Sequence, residues 1–359
     1  MLCATKDFYS ATRDARKIIV VDLGFLGDTV HLIPALWEIK RHYPEASLHL
    51  LSTPLGSDVC RLASCVDRLW PVELAPGKRS LRQQFSIIRA LRRERFDVAF
   101  NLGGNDRSII LTALTGARWR VAHEGGRFHF WNKWLIPHWV SRQSENLPVL
   151  EQRRQVLAAC GFTLEAPRFD LSFETNDSGW AEVNVAAGSI HFSLNSANPL
   201  KEWPIAHYVS LARKLWQTQP SLRLVVSATS KAREQARLQE FISTLADARL
   251  QALPSVMSIG QLATALKRCV LHFGPDSGVV HLALALGVPT VSLFRDQPGF
   301  EGWLPRDSRH HYFLACCRCV DHRHSGCEPF AQAACLTAIS PDSVAVQIQT
   351  LLARENLRH

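Results

Sequence analysis

The sequence predicts an α/β protein with two Rossmann-like domains, each built on a doubly wound parallel sheet. Short apolar runs alternate along the chain with segments whose apolar residues recur at helical spacing, which is typical of parallel sheets with crossover helices. A polar stretch, 167–179, separates two such series and is predicted to be a linker. A chain of 359 residues is long enough to bury two cores.

The first half begins with a strand, a glycine-rich turn and a helix. The apolar run 17–21 is the predicted strand, and residues 29–42 are the predicted helix. Between them, Gly24 and Gly27 allow a ligand to approach the backbone, although their spacing is not a dinucleotide-binding fingerprint. Asp28 lies at the first helical turn, where capping is its simplest role.

The rest of the first half continues the alternation. The residues at 80–95 predict an amphipathic helix whose arginines lie outside its apolar stripe, which suits a solvated face or contact with an anionic acceptor or membrane. These arginines are Arg82, Arg89, Arg92, Arg93 and Arg95. The other predicted strands are 47–51, 66–70, 96–102 and 118–121, and the other predicted helices are 108–115 and 146–160.

The second half has its clearest pattern between residues 269 and 294. It predicts a strand, a tight turn, a helix capped by Asp276 or Ser277, and a second strand. The helix N-terminus then lies at the carboxyl edge of a parallel sheet, where free amide groups and the helix dipole favour an anion. Gly278 allows a phosphate close to the backbone. An ordinary capped crossover helix is the alternative.

Further elements are predicted on both sides of this pattern. A loop at 253–258 is predicted before the helix at 259–268. The other predicted strands of the second half are 189–194 and 222–227, and the other predicted helices are 204–217, 230–246 and 341–354.

Several short motifs resemble those of glycosyltransferase family 9, the heptosyltransferases that build the inner core of lipopolysaccharide. One is Asp-Ser/Thr-Gly-x-x-His, followed by Gly-x-Pro-Thr. The second is Leu-Gly-Asp after the first strand, and the third is Lys-x-Trp-Pro. The matching residues are Asp276, Ser277, Gly278, His281, Gly287, Pro289 and Thr290, then Leu26, Gly27 and Asp28, then Lys201, Trp203 and Pro204.

The resemblance implies the glycosyltransferase B architecture, in which two Rossmann-like domains face a cleft. Residues 1–175 would bind the acceptor and residues 176–339 the nucleotide sugar. Residues 340–359 would form a C-terminal helix that packs back on the first domain. The implied activity is inverting transfer of heptose from ADP-heptose to the lipopolysaccharide core, without a cofactor for catalysis. A relative that uses another nucleotide-activated sugar is the close alternative.

The same resemblance implies roles for individual residues. Asp28 would be the general base, Lys201 would contact the donor phosphate, and Gly24 and Gly27 would line the acceptor and phosphate loop. Met257 would pack on the base of the donor, with core filling as its equal rival. The remaining implied donor-binding residues are Ser196 as an assisting hydroxyl, Glu234 at the ribose, and Asp276, Ser277, Gly278 and His281.

Two departures from the family pattern bear on specificity. The family usually has a basic residue where this chain has Asp22, which affects any phosphate contact there. The loop 295–303 also differs from the usual Phe/Gly-x-Thr-x-Pro continuation. Because this loop would lie beside the donor, its sequence bears on the identity of the sugar.

A cysteine cluster follows this loop. Cys316, Cys319, Cys327 and Cys335 have a spacing that suits a tetrahedral zinc or iron site, and many members of the family have cysteines here. Unliganded reduced thiols are the alternative. We predict a structural metal rather than a catalytic one.

Composition and charge indicate which partners the chain meets. The net charge is +9 and the first half is the more basic, which suits a phosphorylated glycolipid, an anionic membrane or nucleic acid. There is no signal-peptide pattern at the N-terminus and no uninterrupted apolar run of about 20 residues. We therefore expect a cytoplasmic protein, free or peripheral on the inner membrane, that contacts its glycolipid acceptor and no nucleic acid.

Two other classes of protein are weighed against this one. A non-catalytic protein that binds anionic glycolipid or nucleic acid would not need Asp28, Lys201 and Asp276. A dehydrogenase is disfavoured because the first turn lacks Gly-x-Gly-x-x-Gly and no suitable acid ends the second strand.

Overall fold

The computed structural model describes residues 7–73, 81–123, 132–141, 147–297, 299–316 and 333–356. The chain divides into two compact units, Met1–Ser172 and Phe173–His359. The predicted linker is partly helical, because a helix already begins at Thr175.

The first unit alternates strands with helices. Its strands are β1 (Lys17–Val21), β2 (Ser47–Ser52), β3 (Arg68–Pro71), β4 (Val98–Asn101), β5 (Trp119–His123) and β6 (His138–Val140). Its helices are α1 (Phe8–Thr12), α2 (Leu26–His42), α3 (Pro54–Cys60), α4 (Leu81–Glu94), α5 (Asp106–Leu114), α6 (Asn132–Leu135) and α7 (Val149–Ala159). Helix α2 begins three residues before the predicted helix, so Asp28 lies inside its first turn.

The second unit repeats this organisation and adds two short 3₁₀ turns, Pro199–Lys201 and Phe300–Trp303. Its strands are β7 (Ser189–Ser193), β8 (Leu224–Ser227), β9 (Leu250–Ala252), β10 (Cys269–Pro275), β11 (Thr290–Arg295) and β12 (His310–Ala315). Its helices are α8 (Thr175–Asn184), α9 (Ile205–Thr218), α10 (Ala232–Leu245), α11 (Ile259–Arg268), α12 (Gly278–Ala285), α13 (Ala334–Thr337) and α14 (Pro341–Asn356).

Both sheets are parallel and have the same strand order. The first runs β3-β2-β1-β4-β5-β6 and the second runs β12-β11-β10-β7-β8-β9. Each is the doubly wound order of a Rossmann domain, so the predicted fold class is confirmed. The order reverses between β1 and β4 in one sheet and between β7 and β10 in the other. Ligands of such sheets bind outside the carboxyl ends of the strands at this point.

Aromatic side chains dominate the core on one face of the second sheet. Phe192, Tyr208 and Phe273 are completely buried, and their rings lie 5.3 to 6.0 Å apart in edge-on or tilted pairs. Trp203, from the Lys-x-Trp-Pro motif, joins them and donates its ring N–H to the carbonyl of Ile339 at 3.2 Å. The tryptophan of this motif is therefore a core residue that holds the loop carrying Lys201.

The C-terminal helix packs on its own unit. The apolar side chains of α14, among them Val344, Ile348 and Leu351, are buried in the core of the second unit with residues of α9, β10 and β11. The sequence analysis predicted that this helix packs back on the first domain, and that contact stays a prediction. Val346 is an apolar side chain of α14 that the second unit leaves exposed.

Two buried histidines lie side by side under the opposite face of the second sheet. The Nδ1 atoms of His191 and His272 are 2.8 Å apart, and Nε2 of His191 is 2.9 Å from the Ser227 hydroxyl. Burial lowers the pKa of His191 to about 3. Burial, together with neighbouring His191, holds the pKa of His272 well below its ordinary value. Both rings are therefore neutral in the folded protein at neutral pH.

This pair predicts that the free energy of unfolding falls as the pH is lowered below 6.5. Unfolded histidines bind a proton near pH 6.5, whereas the folded pair does not, so its stabilisation is complete above that pH. Below it, each histidine lowers the free energy of unfolding by about 1.4 kcal/mol per pH unit, and the two together lower it by about 3 kcal/mol per pH unit. Urea unfolding at pH 7, 6 and 5 measures this slope. The His191→Leu, His272→Leu double variant should show a shallower slope, and an unchanged slope contradicts the assignment.

Candidate functional site

Three predicted donor-binding residues meet at the switch point of the second sheet. Ser196 follows β7 and donates its hydroxyl to the main-chain carbonyl of Asp276, which follows β10, at 3.0 Å. Lys201 ends the 3₁₀ turn Pro199–Lys201, and its Nζ lies 2.5 Å from Oδ2 of Asp276. The structure therefore brings together residues 80 and 75 positions apart in the sequence.

Asp276 is an ionised carboxylate that lies between the side chains of Lys201 and His281. Burial raises its pKa, but the interaction with His281 and the charge of Lys201 outweigh burial, so the pKa lies below its ordinary value. Nε2 of His281 is 3.7 Å from Oδ1 of Asp276. The side chain of Lys201 is 22% exposed and that of Asp276 is 10% exposed, so the ammonium is the more accessible partner.

The N-terminus of α12 lies beside this ion pair. Ser277 occupies the N-cap position, but its side chain makes no capping hydrogen bond. Its hydroxyl oxygen is buried and has no hydrogen-bond partner among the described residues. Gly278 is the first residue of the helix. The amide groups of this turn, the Ser277 hydroxyl and Lys201 are together suited to a phosphate.

A network that the sequence analysis missed holds the loop between Ser196 and Lys201. Glu202 accepts a hydrogen bond from the Ser196 amide at 2.8 Å and two from Arg233, at 2.7 and 2.6 Å. Arg233 also donates to the Ser196 carbonyl at 2.9 Å, and Arg237 lies 3.3 Å from Glu202. The sequence feature that could have indicated this network is a pair of arginines four residues apart, Arg233 and Arg237, on the helix that follows β8.

Two other predicted donor residues have structural contacts of their own. Glu234 is buried near the start of α10 and accepts hydrogen bonds from the Thr229 amide at 3.0 Å and hydroxyl at 2.7 Å. Met257 is half-buried and packs on an apolar cluster that includes Val185 and Leu253.

The divergent loop contacts the signature helix. Trp303 ends a 3₁₀ turn, and its ring centroid is 5.0 Å from that of His281, which is buried on α12. Because His281 also faces Asp276, this loop contacts a residue that lies beside the ion pair of Lys201 and Asp276.

The predicted residues of the first unit lie at the carboxyl edge of its sheet. Oδ2 of Asp28 accepts a hydrogen bond from the amide of Phe25 at 3.0 Å and so caps α2. A Cβ added at Gly24 would lie 2.3 Å from Cβ of Asp28 and 2.9 Å from Oδ1 of Asp22, so only glycine fits there. Gly27 is buried in the first turn of α2. The glycines thus let the turn close tightly around two carboxylates.

The turn also contains a buried ion pair that the sequence analysis did not identify. Arg153, on α7, has its Nη2 atom 3.1 Å from Oδ2 of Asp22 and 3.7 Å from Oδ1 of Asp28. Its Nη1 donates to the main-chain carbonyl of Asp28 at 2.6 Å. Asp22, which the sequence analysis marked as a departure from the family pattern, is therefore paired with an arginine from a distant helix.

The predicted metal site falls only partly within the described structure. Cys316 and Cys335 are described, whereas Cys319 and Cys327 lie outside the described residues. Within the described ranges, no group of three or more histidine, cysteine, aspartate or glutamate side chains is arranged to hold a metal ion. The same ranges contain no helix with the length and apolar content needed to span a bilayer.

The chain matches the sequence model of glycosyltransferase family 9 (heptosyltransferase) over residues 84–319, about two thirds of its length. This match covers Lys201, Ser196 and the residues from Asp276 to His281. The match begins after Asp28. The predicted role of Asp28 as the base therefore rests on the Leu-Gly-Asp motif and on its position at the sheet edge.

Three known proteins show how far the likeness extends. Lipopolysaccharide heptosyltransferase 1 of Pseudomonas aeruginosa is 24% identical and is aligned over 95% of this chain and all of its own length. The glycosyltransferase family 9 protein of Veillonella parvula has a TM-score of 0.80 at 20% identity, over 94% of this chain and 98% of its own. ADP-heptose lipopolysaccharide heptosyltransferase II of Escherichia coli has a TM-score of 0.75 at 19% identity, over 95% and 99%.

Proposed function

Because the chain belongs to glycosyltransferase family 9, the heptosyltransferase family, we propose that it transfers heptose from ADP-heptose to the inner core of lipopolysaccharide, with inversion. The observation that carries this proposal is the cluster of Ser196, Lys201 and Asp276 beside the N-terminus of α12. It combines a cation, a helix dipole and a hydroxyl at the ligand-binding edge of the sheet.

In this proposal the second unit, approximately residues 176–339, binds the donor. The Lys201 ammonium and the amide groups of α12 hold the diphosphate of ADP-heptose. As the bond between the anomeric carbon and the phosphate oxygen breaks, that oxygen takes the electron pair and ADP leaves. Preorganised positive charge at this oxygen stabilises the transition state more than the ground state. The Glu202 network supports the same step by fixing the loop that carries Ser196 and Lys201.

The first unit, approximately residues 1–175, binds the acceptor in this proposal. An acceptor hydroxyl attacks the anomeric carbon from the side opposite the departing diphosphate, which inverts the configuration. Its proton passes to the carboxylate of Asp28. The carboxylate is 29% exposed and anchored by the Phe25 amide, so it is both accessible and oriented.

Another nucleotide-activated sugar is the second candidate donor. The contact between Trp303 of the divergent loop and His281 favours it, because a changed loop against the donor cluster alters what the sugar meets. Incubating the protein with ADP-heptose or other nucleotide sugars and truncated lipopolysaccharide acceptors, followed by mass spectrometry, identifies the donor. A heptose mass added from ADP-heptose supports the proposal. Addition only from another donor overturns the heptose assignment, and stabilisation by NAD but not ADP in a thermal melt opposes the donor-site assignment.

We also propose a structural metal at Cys316, Cys319, Cys327 and Cys335. The Cys-x-x-Cys spacing followed by two more cysteines supplies four thiolates, the ligand set of zinc and iron sites. The purified protein is expected to contain about one zinc or iron per chain. Elemental analysis after purification without chelators measures this, with a Cys319→Ser, Cys327→Ser variant as the control. Absence of both metals from the parent protein contradicts the site.

We further propose that α4 binds the anionic face of the inner membrane. Leu91 is buried, so its side of α4 packs on the first unit. Phe85 is 67% exposed, and Arg89 and Arg93 are exposed as well. An exposed aromatic ring flanked by arginines is suited to an anionic lipid surface.

Reversing two charges of α4 tests this surface. Arg89→Glu with Arg93→Glu should lower binding to phosphatidylglycerol vesicles at least tenfold, because each basic residue near an anionic surface contributes about 1 kcal/mol. Vesicle co-sedimentation measures the binding. Arg13→Glu with Arg61→Glu reverses two exposed arginines elsewhere and should retain more of it. Equal losses in the two variants, or equal binding to neutral phosphatidylcholine, contradict a role for α4.

A further inference from the structure

The turn after β1 contains two carboxylates that share one guanidinium. Asp22 is 1% exposed and directs Oδ1 to the amide of Gly24 at 2.8 Å and Oδ2 to Arg153 at 3.1 Å. Asp28 receives from the same guanidinium a hydrogen bond to its main-chain carbonyl and an electrostatic contact to its carboxylate at 3.7 Å. Arg153 therefore contacts Asp28 at both its main chain and its side chain.

A cation is required here by the burial of Asp22. An uncompensated buried carboxylate is costly, and a second carboxylate nearby would add repulsion. Arg153 is 6% exposed, so its charge is shielded from water and directed at these two groups. Cys60 is a further titratable group in electrostatic contact with both Asp22 and Arg153. Burial and then Asp22 raise the pKa of its thiol, so it stays neutral.

The geometry separates the two acids into different roles. Both oxygens of Asp22 are directed at protein groups inside the turn, whereas the side chain of Asp28 is 29% exposed. Asp22 thus anchors the guanidinium, and the guanidinium constrains Asp28. At 3.7 Å the contact to the Asp28 carboxylate is longer than a hydrogen bond. Arg153 therefore orients this carboxylate electrostatically and leaves its oxygen free of a short hydrogen bond from the guanidinium.

We propose that Arg153 is a positioning residue for the transfer reaction, which holds the Asp28 carboxylate in place and in its ionised form, with Asp22 as its anchor. This inference rests on the proposed role of Asp28 as the base. A planar guanidinium is suited to the task, because one Nη atom donates to the main-chain carbonyl of Asp28 while the other places positive charge beside both carboxylates.

The adjacent residue provides a matched control. Arg154 is on the same helix, is 3% exposed, and also joins α7 to α2, with its Nη2 atom 3.1 Å from Oε1 of Glu38. Glu38 lies in the last turns of α2, away from Asp28 in sequence, and is buried, as is Asp22. Neutralising either ion pair therefore removes a buried contact of α7, with the turn after β1 in one case and with α2 in the other, and of the two arginines only Arg153 contacts Asp28.

The experiment compares Arg153→Gln in an Asp22→Asn background with Arg154→Gln in a Glu38→Gln background. In each background the partner charge is already removed, so neither arginine substitution leaves a buried carboxylate unpaired. Arg153→Gln should lower kcat on the order of tenfold with little change in KM for the donor, and should move the acidic limb of the pH profile up on the order of one pH unit. Arg154→Gln should change thermal stability to a similar extent but leave kcat and the acidic limb unchanged.

Rescue and an activity-independent measurement complete the test. Arg153→Lys keeps the positive charge, so the acidic limb of the pH profile should stay in place. The value of kcat should still fall, because lysine lacks the planar, forked N–H donors of the guanidinium. Carbon-13 NMR of labelled aspartate, with Asp28 assigned from the Asp28→Asn spectrum, follows the carboxyl titration without any substrate. An unchanged Asp28 titration after Arg153→Gln, or equal kinetic effects of the two arginine substitutions, overturns the inference. A parent protein that transfers no sugar overturns the proposed function instead, and the NMR titration still decides the coupling.

Discussion

Asp28→Asn is expected to reduce the rate of sugar transfer by two to four orders of magnitude while the fold and ADP affinity are retained. General-base assistance typically contributes about 10²–10⁴-fold, and an amide cannot accept the proton. The amide oxygen of asparagine can still accept the hydrogen bond from the Phe25 amide, so the contact that this residue makes back to the N-cap of α2 is retained. The structural role of the residue is thus preserved and its proposed chemical role is removed.

Initial rates at saturating donor, ADP binding by calorimetry and thermal melts are the three measurements. Asp342→Asn is the control, because it neutralises another acid in the first turn of a helix, at an exposed position on α14. It should leave transfer unchanged. If Asp28→Asn transfers sugar at close to the parental rate, Asp28 is only a cap and the proposed mechanism is wrong.

The sequence predicted the fold and one part of the site for the same physical reason. In a parallel sheet each strand ends at one edge, and the residues just after a strand are carried to that edge. Ser196 and Asp276 follow two predicted strands directly, so local pattern was enough to place them at the edge. That these two strands are neighbours was not predicted, and the strand order shows it.

The arginines of both clusters could not be predicted in this way. Arg153 lies 125 residues from Asp28, on a helix whose local pattern marks it as an ordinary charged position. Arg233 lies 31 residues from Glu202 and belongs to a helix with many charges. Which charged side chains become buried partners depends on how helices pack on the sheet, and a one-dimensional pattern does not specify that packing.

The C-terminal helix shows a different limit. The helix was predicted at 341–354, but its apolar side chains, among them Val344, Ile348 and Leu351, specify only that something apolar must cover them. The covering surface was the second unit's own core. The roles of Glu234 and Met257 remain predictions for a similar reason. The contact of Glu234 with Thr229 and that of Met257 with an apolar cluster are each compatible with a purely structural role and with ligand binding.

Lys201→Ala is expected to lower transfer by one to two orders of magnitude. A charge-assisted hydrogen bond to a phosphate typically contributes about 1.5–3 kcal/mol, and the contribution grows as negative charge develops on the leaving diphosphate. The substitution also removes one cation from Asp276, which is buried and retains His281 at 3.7 Å. A loss of stability should therefore accompany the loss of rate, and the two effects must be separated.

The double variant Lys201→Ala, Asp276→Asn makes that separation. Neutralising Asp276 removes the buried charge that Lys201 balances, so thermal stability should recover part of the loss, whereas transfer should remain low because the cation at the diphosphate is still absent. Lys214→Ala is the control, since Lys214 forms an ion pair with Asp342 at 2.6 Å in the same unit, with the aspartate mostly exposed. It should change neither ADP affinity nor rate. If instead transfer recovers together with stability in the double variant, Lys201 serves only to balance Asp276, and the charge that stabilises the departing diphosphate must come from the N-terminus of α12.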